Sequence, residues 1–301
     1  MYNAKIKQEY LDYKRETTQL ANNLKNWFDY AEYFEEKYDR DLCNWSSPEI
    51  LAFCKYLSTP KIKTLTLFVN TMKIYTDWCM ANSLVLDNQN HWVEVDQESL
   101  YRCIDTERLS ESYITRNELL ENIDKLYNYS DKFIFLGTFE GMTVPEIASA
   151  KPADLYDGIM HCKTRDLTIS PELEDIIINT TTETSYLVYK KNNRDRVRSM
   201  ELCSGDEIVR GSESSGPSVN QTVLVSSRFR RASKYLELSS NLTMINLKES
   251  GRFEMIRGIL KETGMTLKDY IFNKEARKEM EERYGKIQNL SSFVMVYKDI
   301  I

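Results

Sequence analysis

The stretch that decides the fold is FLGTFEGMTVPEI, from Phe135 to Ile147. It continues an apolar run that begins at Asp131, which predicts a buried helix. A glycine, Gly141, follows this run and is typical of the end of a helix. Thr143 and Glu146 then have the three-residue spacing of a capping box. We therefore expect a buried helix, a glycine turn and a second, short helix that begins at Thr143.

The chain before this stretch divides into a helical part and a polar segment. Residues 1–95 carry apolar side chains at a spacing near 3.6, which predicts four or five short helices around an aromatic core. Ser47-Pro48 predicts a helix start with Ser47 as N-cap and Pro48 at the first helical position, and Ser46 and Glu49 offer a capping-box spacing. Polar residues dominate 96–112, and we predict this segment to be a linker.

The remaining residues, 113–301, predict a mixed helical and β domain. Thr115-Arg-Asn-Glu118 is another capping box at the start of a helix. Residues 155–169 are predicted to form a hairpin or small sheet, with Asp157-Gly158 as its turn. Ser170-Pro171 begins a further helix. The predicted fold class is mainly α with a small β-sheet (α+β), in two domains.

Composition excludes several classes of protein. The chain has 301 residues, of which 42% are hydrophobic and 29% charged, as in a soluble globular protein. No apolar run approaches the ~20 residues of a membrane span, and the first residues lack the apolar core of a signal peptide. The six cysteines include no CxxC pair, and His91 and His161 are the only histidines. We therefore predict free thiols in a reducing cytoplasm, no metal site and no cofactor.

The charges are unevenly distributed along the chain. There are 40 basic and 46 acidic residues, and the net charge of −6 argues weakly against a nucleic-acid partner. The basic residues nevertheless lie in three clusters, which are Lys55, Lys61, Lys63 and Lys73; Lys190, Lys191, Arg194, Arg196 and Arg198; and Arg228, Arg230, Arg231 and Lys234. Because nucleic acid responds to local charge, these clusters outweigh the total.

Four segments together resemble the tyrosine recombinase, or phage integrase, family. They are Phe135–Ile147, Thr115-Arg-Asn-Glu-Leu119, Cys162–Leu173 and a helical front half that ends in Tyr75-Thr-Asp-Trp78. The resemblance covers nearly the whole chain. It implies that residues 1–95 are a helical, SAM-like core-binding domain and that 113–301 have the fold of the catalytic domain. The two domains of such a protein clamp a DNA duplex.

The catalytic residues of the family are mostly replaced in this chain. The family cleaves DNA with a tyrosine, two arginines, a lysine and a histidine or tryptophan, and its cations stabilise charge that develops on the phosphoryl oxygens. Thr143 falls at the first arginine, and Ile245 and Lys248 fall at the histidine and the second arginine. Lys163 and Tyr297 remain, although a solvated lysine and a core tyrosine are the simpler interpretations. The resemblance therefore implies an inactive recombinase fold with no catalytic residue.

An inactive relative that still grips DNA has a natural use as a repressor. The chain is similar to the integrase-fold repressors that keep SPβ-type Bacillus prophages in lysogeny. We therefore predict a sequence-specific DNA-binding transcriptional repressor that binds short operator-like elements of a phage genome. We expect it to be a monomer or homodimer in the bacterial cytoplasm, associated with the nucleoid. The sequence identifies no membrane partner and no small-molecule substrate. The predicted DNA-binding residues are Lys61, Lys63, Lys73, Lys163, Arg165, Lys190, Lys191, Arg194, Arg228, Arg230, Arg231 and Lys248.

Two other functions fit the same sequence. The first is an active recombinase with a divergent active site, in which Arg252, Arg257 or Arg283 supplies the missing cations. The second is an accessory factor that binds protein and no longer touches DNA, which the acidic net charge favours. A covalent protein–DNA adduct would identify the first, and failure to shift any phage DNA fragment would identify the second.

Overall fold

The computed structural model describes residues 1–17, 21–189, 198–212 and 220–301. They form two compact units, Met1–Leu109 and Ser110–Ile301. The described residues are mainly helical and include two small antiparallel sheets, which confirms the predicted fold class. No helix in these parts of the chain combines the length and the apolar character that a bilayer span requires.

The first unit is a bundle of helices around aromatic side chains. Its helices are α1 (Ala4–Thr17), α2 (Ala21–Tyr38), α3 (Ser47–Tyr56), α4 (Ile62–Ala81), α5 (Gln97–Tyr101) and α6 (Thr106–Ser110), of which α6 ends just past the boundary. Phe34, Trp45, Phe53 and Phe68 contact one another edge-on or tilted, with ring centroids 5.3–6.3 Å apart. The predicted capping box between Ser46 and Glu49 is present, but the N-cap of α3 is Ser46, and Ser47, predicted to be the N-cap, is the first residue of the helix.

A buried ion pair joins the first two helices of this bundle. Lys7 of α1 donates to the carboxylate of Glu35 on α2, and both side chains are fully buried. Glu35 also accepts a hydrogen bond from the Leu42 amide over 2.9 Å. Burial raises the pKa of Glu35 to about 7, because desolvation outweighs the opposing effect of Lys7.

The segment 96–112, predicted to be a linker, is largely helical. It contains α5 and α6, and Leu100 and Leu109 are buried. The amide of Asp105 donates to the carbonyl of Thr59 over 3.2 Å, so the segment packs on the first unit. The short helices carry few apolar residues, and this explains why the periodicity of the sequence did not reveal them.

The second unit combines helices with the two sheets. Its helices are α7 (Arg116–Asp124), α8 (Tyr129–Phe139), α9 (Val144–Ser149), α10 (Pro171–Thr180), α11 (Gln221–Tyr235), α12 (Met244–Thr263), α13 (Leu267–Phe272), α14 (Lys278–Tyr284) and α15 (Leu290–Tyr297). Its strands are β1 (Leu155–Tyr156), β2 (Ile159–Cys162), β3 (Arg165–Thr168), β4 (Ser185–Val188) and β5 (Arg198–Glu201). The strand orders are β1-β2-β3 and β4-β5.

Helix α8 lies at the centre of this unit. Every residue from Ser130 to Phe139 except Lys132 is buried, because α7, α10, α11 and α12 all pack around it. The helix ends at Glu140, and Gly141 follows with a φ of +104°, a conformation that favours glycine. The predicted helix, turn and new helix are thus present.

The local signals of the β region also hold. Asp157 and Gly158 form the turn between β1 and β2 with φ values of +54° and +72°, as Asp-Gly turns of this type require. Thr115 and Ser170 accept hydrogen bonds from the first turns of α7 and α10. These are the helix starts that the sequence predicts.

Helix α12 crosses the end of α8 so closely that only glycine fits at the contact. A Cβ atom added at Gly251 would lie 1.7 Å from the carbonyl oxygen of Phe139 and 2.9 Å from the hydroxyl of Tyr284. Seven residues later on the same helix, Gly258 has no atom within 4 Å of the corresponding position.

Replacing Gly251 by Ala is expected to destabilise the protein by about 3 kcal/mol, because the two helices must move apart. The matched control Gly258→Ala should instead stabilise it by roughly 0.5–1 kcal/mol, since alanine restricts the unfolded chain and favours a helix. Denaturant unfolding of the full chain measures both free energies. Equal effects of the two substitutions would contradict the close helix crossing.

Candidate nucleic-acid interface

Thr143, at the position of the first family arginine, is the N-cap of α9. Its hydroxyl accepts a hydrogen bond from the Glu146 amide, and its own amide donates to the Glu146 carboxylate over 2.7 Å. This is the capping box that the sequence predicts. The side chain at this position carries no charge for a phosphate.

Arg165, on β3, is fully engaged within the second unit. Its Nε donates to Glu146 Oε1 over 2.8 Å, and its Nη2 donates to Glu146 Oε2 over 2.9 Å. The other hydrogen bonds go to the main-chain carbonyls of Gly141, Glu282 and Arg283. A guanidinium has five N–H donors, and these five bonds occupy them all.

Lys163 and Arg165 are two residues apart, so the sequence predicts that both lie on one exposed face of a strand. The structure corrects this prediction. Lys163 lies in the turn between β2 and β3, where it is exposed, and the strict alternation of a strand does not reach it. Arg165 is the first residue of β3 and turns inward to Glu146. Only Lys163 of this pair is exposed to a ligand.

The carboxylate of Glu146 is strongly stabilised in its ionised form. Burial acts to raise its pKa, but hydrogen bonds from Arg165 and Thr143 outweigh that effect and lower the pKa to about 2. The folded-state pKa lies below the unfolded one, so the pair stabilises the fold above about pH 4.5. This contribution is lost as the pH falls towards 2.

Lys248, which the sequence predicts to bind DNA, is half-buried at the same place. Burial lowers its pKa, and the nearby Arg165 and Arg252 guanidinium groups lower it further, while Glu146 opposes them. Arg252 is 6% exposed and donates to the carbonyls of Tyr284 and Gly285. Arg252 is thus buried within the unit, and Lys248, predicted to bind DNA, is only partly exposed.

Arg228 is another correction. It is 2% exposed, whereas the sequence grouped it with exposed arginines. Its guanidinium lies 4.1 Å from the ring centroid of Tyr186 and 3.8 Å from the Asp131 carboxylate. It donates to Ser130 Oγ over 2.9 Å and to the carbonyl of Arg210. The residue sits on the inner side of α11, and helical spacing alone could not reveal its buried partner.

The outer side of α11 is basic. Arg230, Arg231 and Lys234 are all exposed, and Val223 extends the same face towards the start of the helix. Within the part of the chain that the structure describes, no carboxylate forms a salt bridge with these three cations. Lys234 belongs to the third basic cluster of the sequence but is not among the predicted DNA-binding residues, and its distance of four residues from Arg230 places it on this face. We call these three residues the α11 basic face.

The first unit presents a smaller basic group at the start of α4. Lys61 is the N-cap of that helix, and both Lys61 and Lys63 are exposed. Lys73, also predicted to bind DNA, is half-buried two to three turns further along. Lys190, Lys191 and Arg194 lie outside the described residues.

Tyr297, which the sequence interprets as a core residue, lies among aromatic rings. Its ring centroid is 4.9 Å from that of Phe253 and 5.0 Å from that of Phe293. Its hydroxyl accepts a hydrogen bond from Tyr113 over 3.3 Å, a partner that the sequence analysis missed. Burial raises its pKa, which opposes the phenolate form that a nucleophile needs.

The arginines considered for a divergent active site are engaged as well. Arg257 donates to the carbonyl of Ile300, and Arg283 donates through Nε to the carbonyl of Glu140 over 2.8 Å. Among the described residues, no group of three or more His, Cys, Asp and Glu side chains is placed to hold a metal ion.

Replacing Arg165 by Ala should lower the free energy of unfolding by about 2–4 kcal/mol, because Glu146 is left buried without its partner. Lys163→Ala, two residues away in the exposed turn, should change it by less than about 0.5 kcal/mol. The difference between the Arg165 variant and the wild type should shrink as the pH falls from 4.5 towards 2. Urea unfolding across this pH range measures it, and a pH-independent difference would contradict the ion pair.

Comparison with known proteins assigns both parts of the chain to one family. The family model described as MrpR, N-terminal core-binding domain, matches residues 1–81, and the one described as MrpR, C-terminal catalytic domain, matches 113–301. The chain is 24% identical over 280 residues to the SPbeta prophage-derived uncharacterized protein YopR of Bacillus subtilis (strain 168), covering 88% of this chain and 84% of that protein.

Solved structures with similar folds include two recombinases. Lambda integrase (75-356), in a dimer bound to a COC′ core site, has 14% identity and a TM-score of 0.45, with 96% of this chain and 94% of that chain covered. XerA recombinase has 10% identity and a TM-score of 0.38, with 97% and 92% covered. Because the two family models match most of its length, this chain belongs to the MrpR family, with a core-binding domain followed by a domain of the catalytic type.

Proposed function

We propose that this protein is a sequence-specific DNA-binding repressor that maintains prophage lysogeny on a recombinase fold without cleaving DNA. The observation that carries the proposal is the division of its basic residues into two sets. Arg165, Arg228 and Arg252 are held by hydrogen bonds inside the second unit. The α11 basic face and the lysines at the start of α4 are exposed. Such cations are available to bind phosphate without activating it.

The internal set supports the absence of strand cleavage. Cleavage of a phosphodiester needs cations placed on the oxygens where negative charge develops. Thr143 supplies none, Arg165 has no free donor, and Lys248 is half-buried with its pKa lowered by burial and by the charges of Arg165 and Arg252. A lysine also lacks the planar fork with which arginine binds two phosphate oxygens. We propose that the ancestral chemistry has been lost.

The exposed set supports duplex binding. A helix that carries three cations on one face offers them to successive phosphates along a groove, and arginine is the residue that best reads guanine there. We propose that Arg230 binds phosphate from α11 and that Arg231, beside it, reads guanine. Lys61 and Lys63 bind backbone from the first unit, and Lys163 binds it from the β2–β3 turn. Arg165 and Arg228 are no longer proposed as contacts.

The family supports the setting in which this binding acts. The relative from Bacillus subtilis is by its name derived from the SPbeta prophage, and the first matching domain is described as core-binding. We therefore propose operator-like elements of a phage genome as the target, in the bacterial cytoplasm. A gel shift on restriction fragments of SPβ-type prophage DNA tests this directly. Binding no tighter than to unrelated bacterial DNA would overturn the repressor proposal.

We propose a monomer or dimer rather than a recombinase-like tetramer. The last helix, α15, packs on its own unit, where Phe293 contacts Phe253 and Arg257 bonds the carbonyl of Ile300. The apolar side of this helix is therefore already packed within its own chain and is not free to dock on a neighbouring subunit. Light scattering of the full chain without DNA checks this, and a stable tetramer would contradict it.

Affinity for duplex DNA should fall steeply with salt, because each bound cation displaces condensed counterions. Lys63→Ala and Arg230→Ala should each reduce the log–log salt slope by about 1. Lys261→Ala, an exposed lysine at the end of α12, serves as the control and should leave the slope unchanged. Fluorescence anisotropy over a salt series on a duplex selected by the wild type measures the slopes. Unchanged slopes in both variants would show that neither side chain touches phosphate.

Tyr297→Phe should leave DNA binding unchanged, because the ring packs and the hydroxyl bonds only Tyr113 among the described residues. A nicked duplex that traps any covalent intermediate tests the same point on the wild-type chain. We expect no protein–DNA adduct on a denaturing gel. An adduct that forms with the wild type and disappears with Tyr297→Phe would establish an active recombinase.

A further inference from the structure

Helix α11 and the β4–β5 hairpin are joined by a set of buried polar side chains. The hairpin brings a further exposed cation, Arg198, whose partner in the strand register is Val188. In this register Arg198 lies opposite the residue that precedes Tyr189 in the chain. Two basic elements thus belong to one region of the second unit, and their geometry depends on what holds them together.

Arg228 connects three parts of the chain at once. On one side its guanidinium stacks on the Tyr186 ring of β4, with 4.1 Å to the ring centroid. On the other it donates to Ser130 at the start of α8 and pairs with Asp131 at 3.8 Å. It also donates to the carbonyl of Arg210, which follows the hairpin. The planar fork of arginine suits this arrangement, and the single ammonium of a lysine does not.

Asp131 continues the network towards the hairpin. Its Oδ2 accepts hydrogen bonds from the Tyr189 hydroxyl over 2.6 Å and from Asn128 Nδ2 over 3.1 Å. Asn128 in turn pairs with the main chain of Leu187 on β4, donating over 3.0 Å and accepting over 2.8 Å. Asp131 is fully buried, and this desolvation raises its pKa, whereas Arg228 and these hydrogen bonds favour its charged form.

A second link closes the outer end of the same network. The rings of Tyr189 and Tyr235 stack with centroids 4.7 Å apart, so the end of α11 contacts the end of β4. The Tyr235 hydroxyl donates to that of Tyr127 over 2.9 Å. Arg231 of the α11 basic face lies 5.9 Å from the centroid of Tyr186. One exposed cation of the α11 basic face therefore lies next to the buried network.

We propose that Asp131 and Arg228 are a positioning pair that fixes α11 and the β4–β5 hairpin as one DNA-binding surface. This inference rests on the proposed function. Arg228 itself does not contact DNA: it sets the angle and register at which Arg230, Arg231 and Arg198 meet the duplex. A buried ion pair stabilises less than apolar packing of the same volume, and its value here is the geometry that it imposes.

The test compares Arg228→Lys and Asp131→Asn with the contact variant Arg230→Ala in the full chain. The probes are a duplex that the wild type selects from a random-sequence library and a shuffled duplex of the same length. Affinity for each probe is measured over a salt series by fluorescence anisotropy. Circular dichroism and thermal unfolding confirm that each variant is folded at the assay temperature.

Both positioning variants should lose about tenfold or more of their affinity for the selected duplex, comparable to a lost base contact. Their salt slopes should stay equal to that of the wild type, because no phosphate contact is removed. Affinity for the shuffled duplex should change little. Arg230→Ala should instead lower the slope by about 1 and weaken both probes.

If the single variants do not fold, the double variant Arg228→Met with Asp131→Leu takes their place, because it leaves no buried charge without a partner. It should fold and still discriminate poorly between the two duplexes. A slope reduced by 1 in Arg228→Lys would make Arg228 a direct contact and overturn the inference. Wild-type discrimination in a folded Arg228 or double variant would overturn it too. Failure of the wild type to bind either duplex would instead refute the proposed function.

Discussion

The second unit depends on the hydrogen bonds of one guanidinium. Arg165 joins its own strand to the carboxylate of Glu146 on α9, to the turn at Gly141 and to the last residues of α14. These groups lie 19 to 118 residues away from it in sequence. The glycine turn, the short helix and the small sheet keep their positions because one side chain satisfies them all. Arg165 therefore stabilises the fold, and it has no free N–H donor with which to bind a ligand.

This constraint separates two uses of the same residue type. Arg165, Arg228 and Arg252 are oriented inward by carboxylates and carbonyls, whereas Arg230, Arg231 and Lys234 have no salt-bridge partner within the described residues. Residues two and three positions apart on α11 thus differ: Arg228 is buried, whereas Arg230 and Arg231 are exposed. In the proposed function, the buried arginines hold the DNA-binding surface in position, and the exposed cations of that surface bind the duplex.

The sequence predicts those features of the structure that depend on interactions between neighbouring residues. The capping boxes at Thr115 and Thr143, the helix start at Ser170 and the Asp157-Gly158 turn all depend on residues within a few positions, and the structure has each of them. The inward orientation of Arg165 and Arg228 depends on partners that are distant in sequence. The buried carboxylate Asp131 was visible only as the start of an apolar run. The sequence therefore located the basic clusters and could not sort their members.

Chemical modification of arginine in the wild-type chain, read by mass spectrometry with and without a selected duplex, tests this division most directly. A dicarbonyl reagent modifies guanidinium groups that are free and accessible. We expect Arg230 and Arg231 to react in the free protein and to be protected by DNA, and Arg165, Arg228 and Arg252 to stay unmodified in both states. Reaction of Arg165 or Arg228 in the free protein, followed by protection on DNA binding, would contradict it.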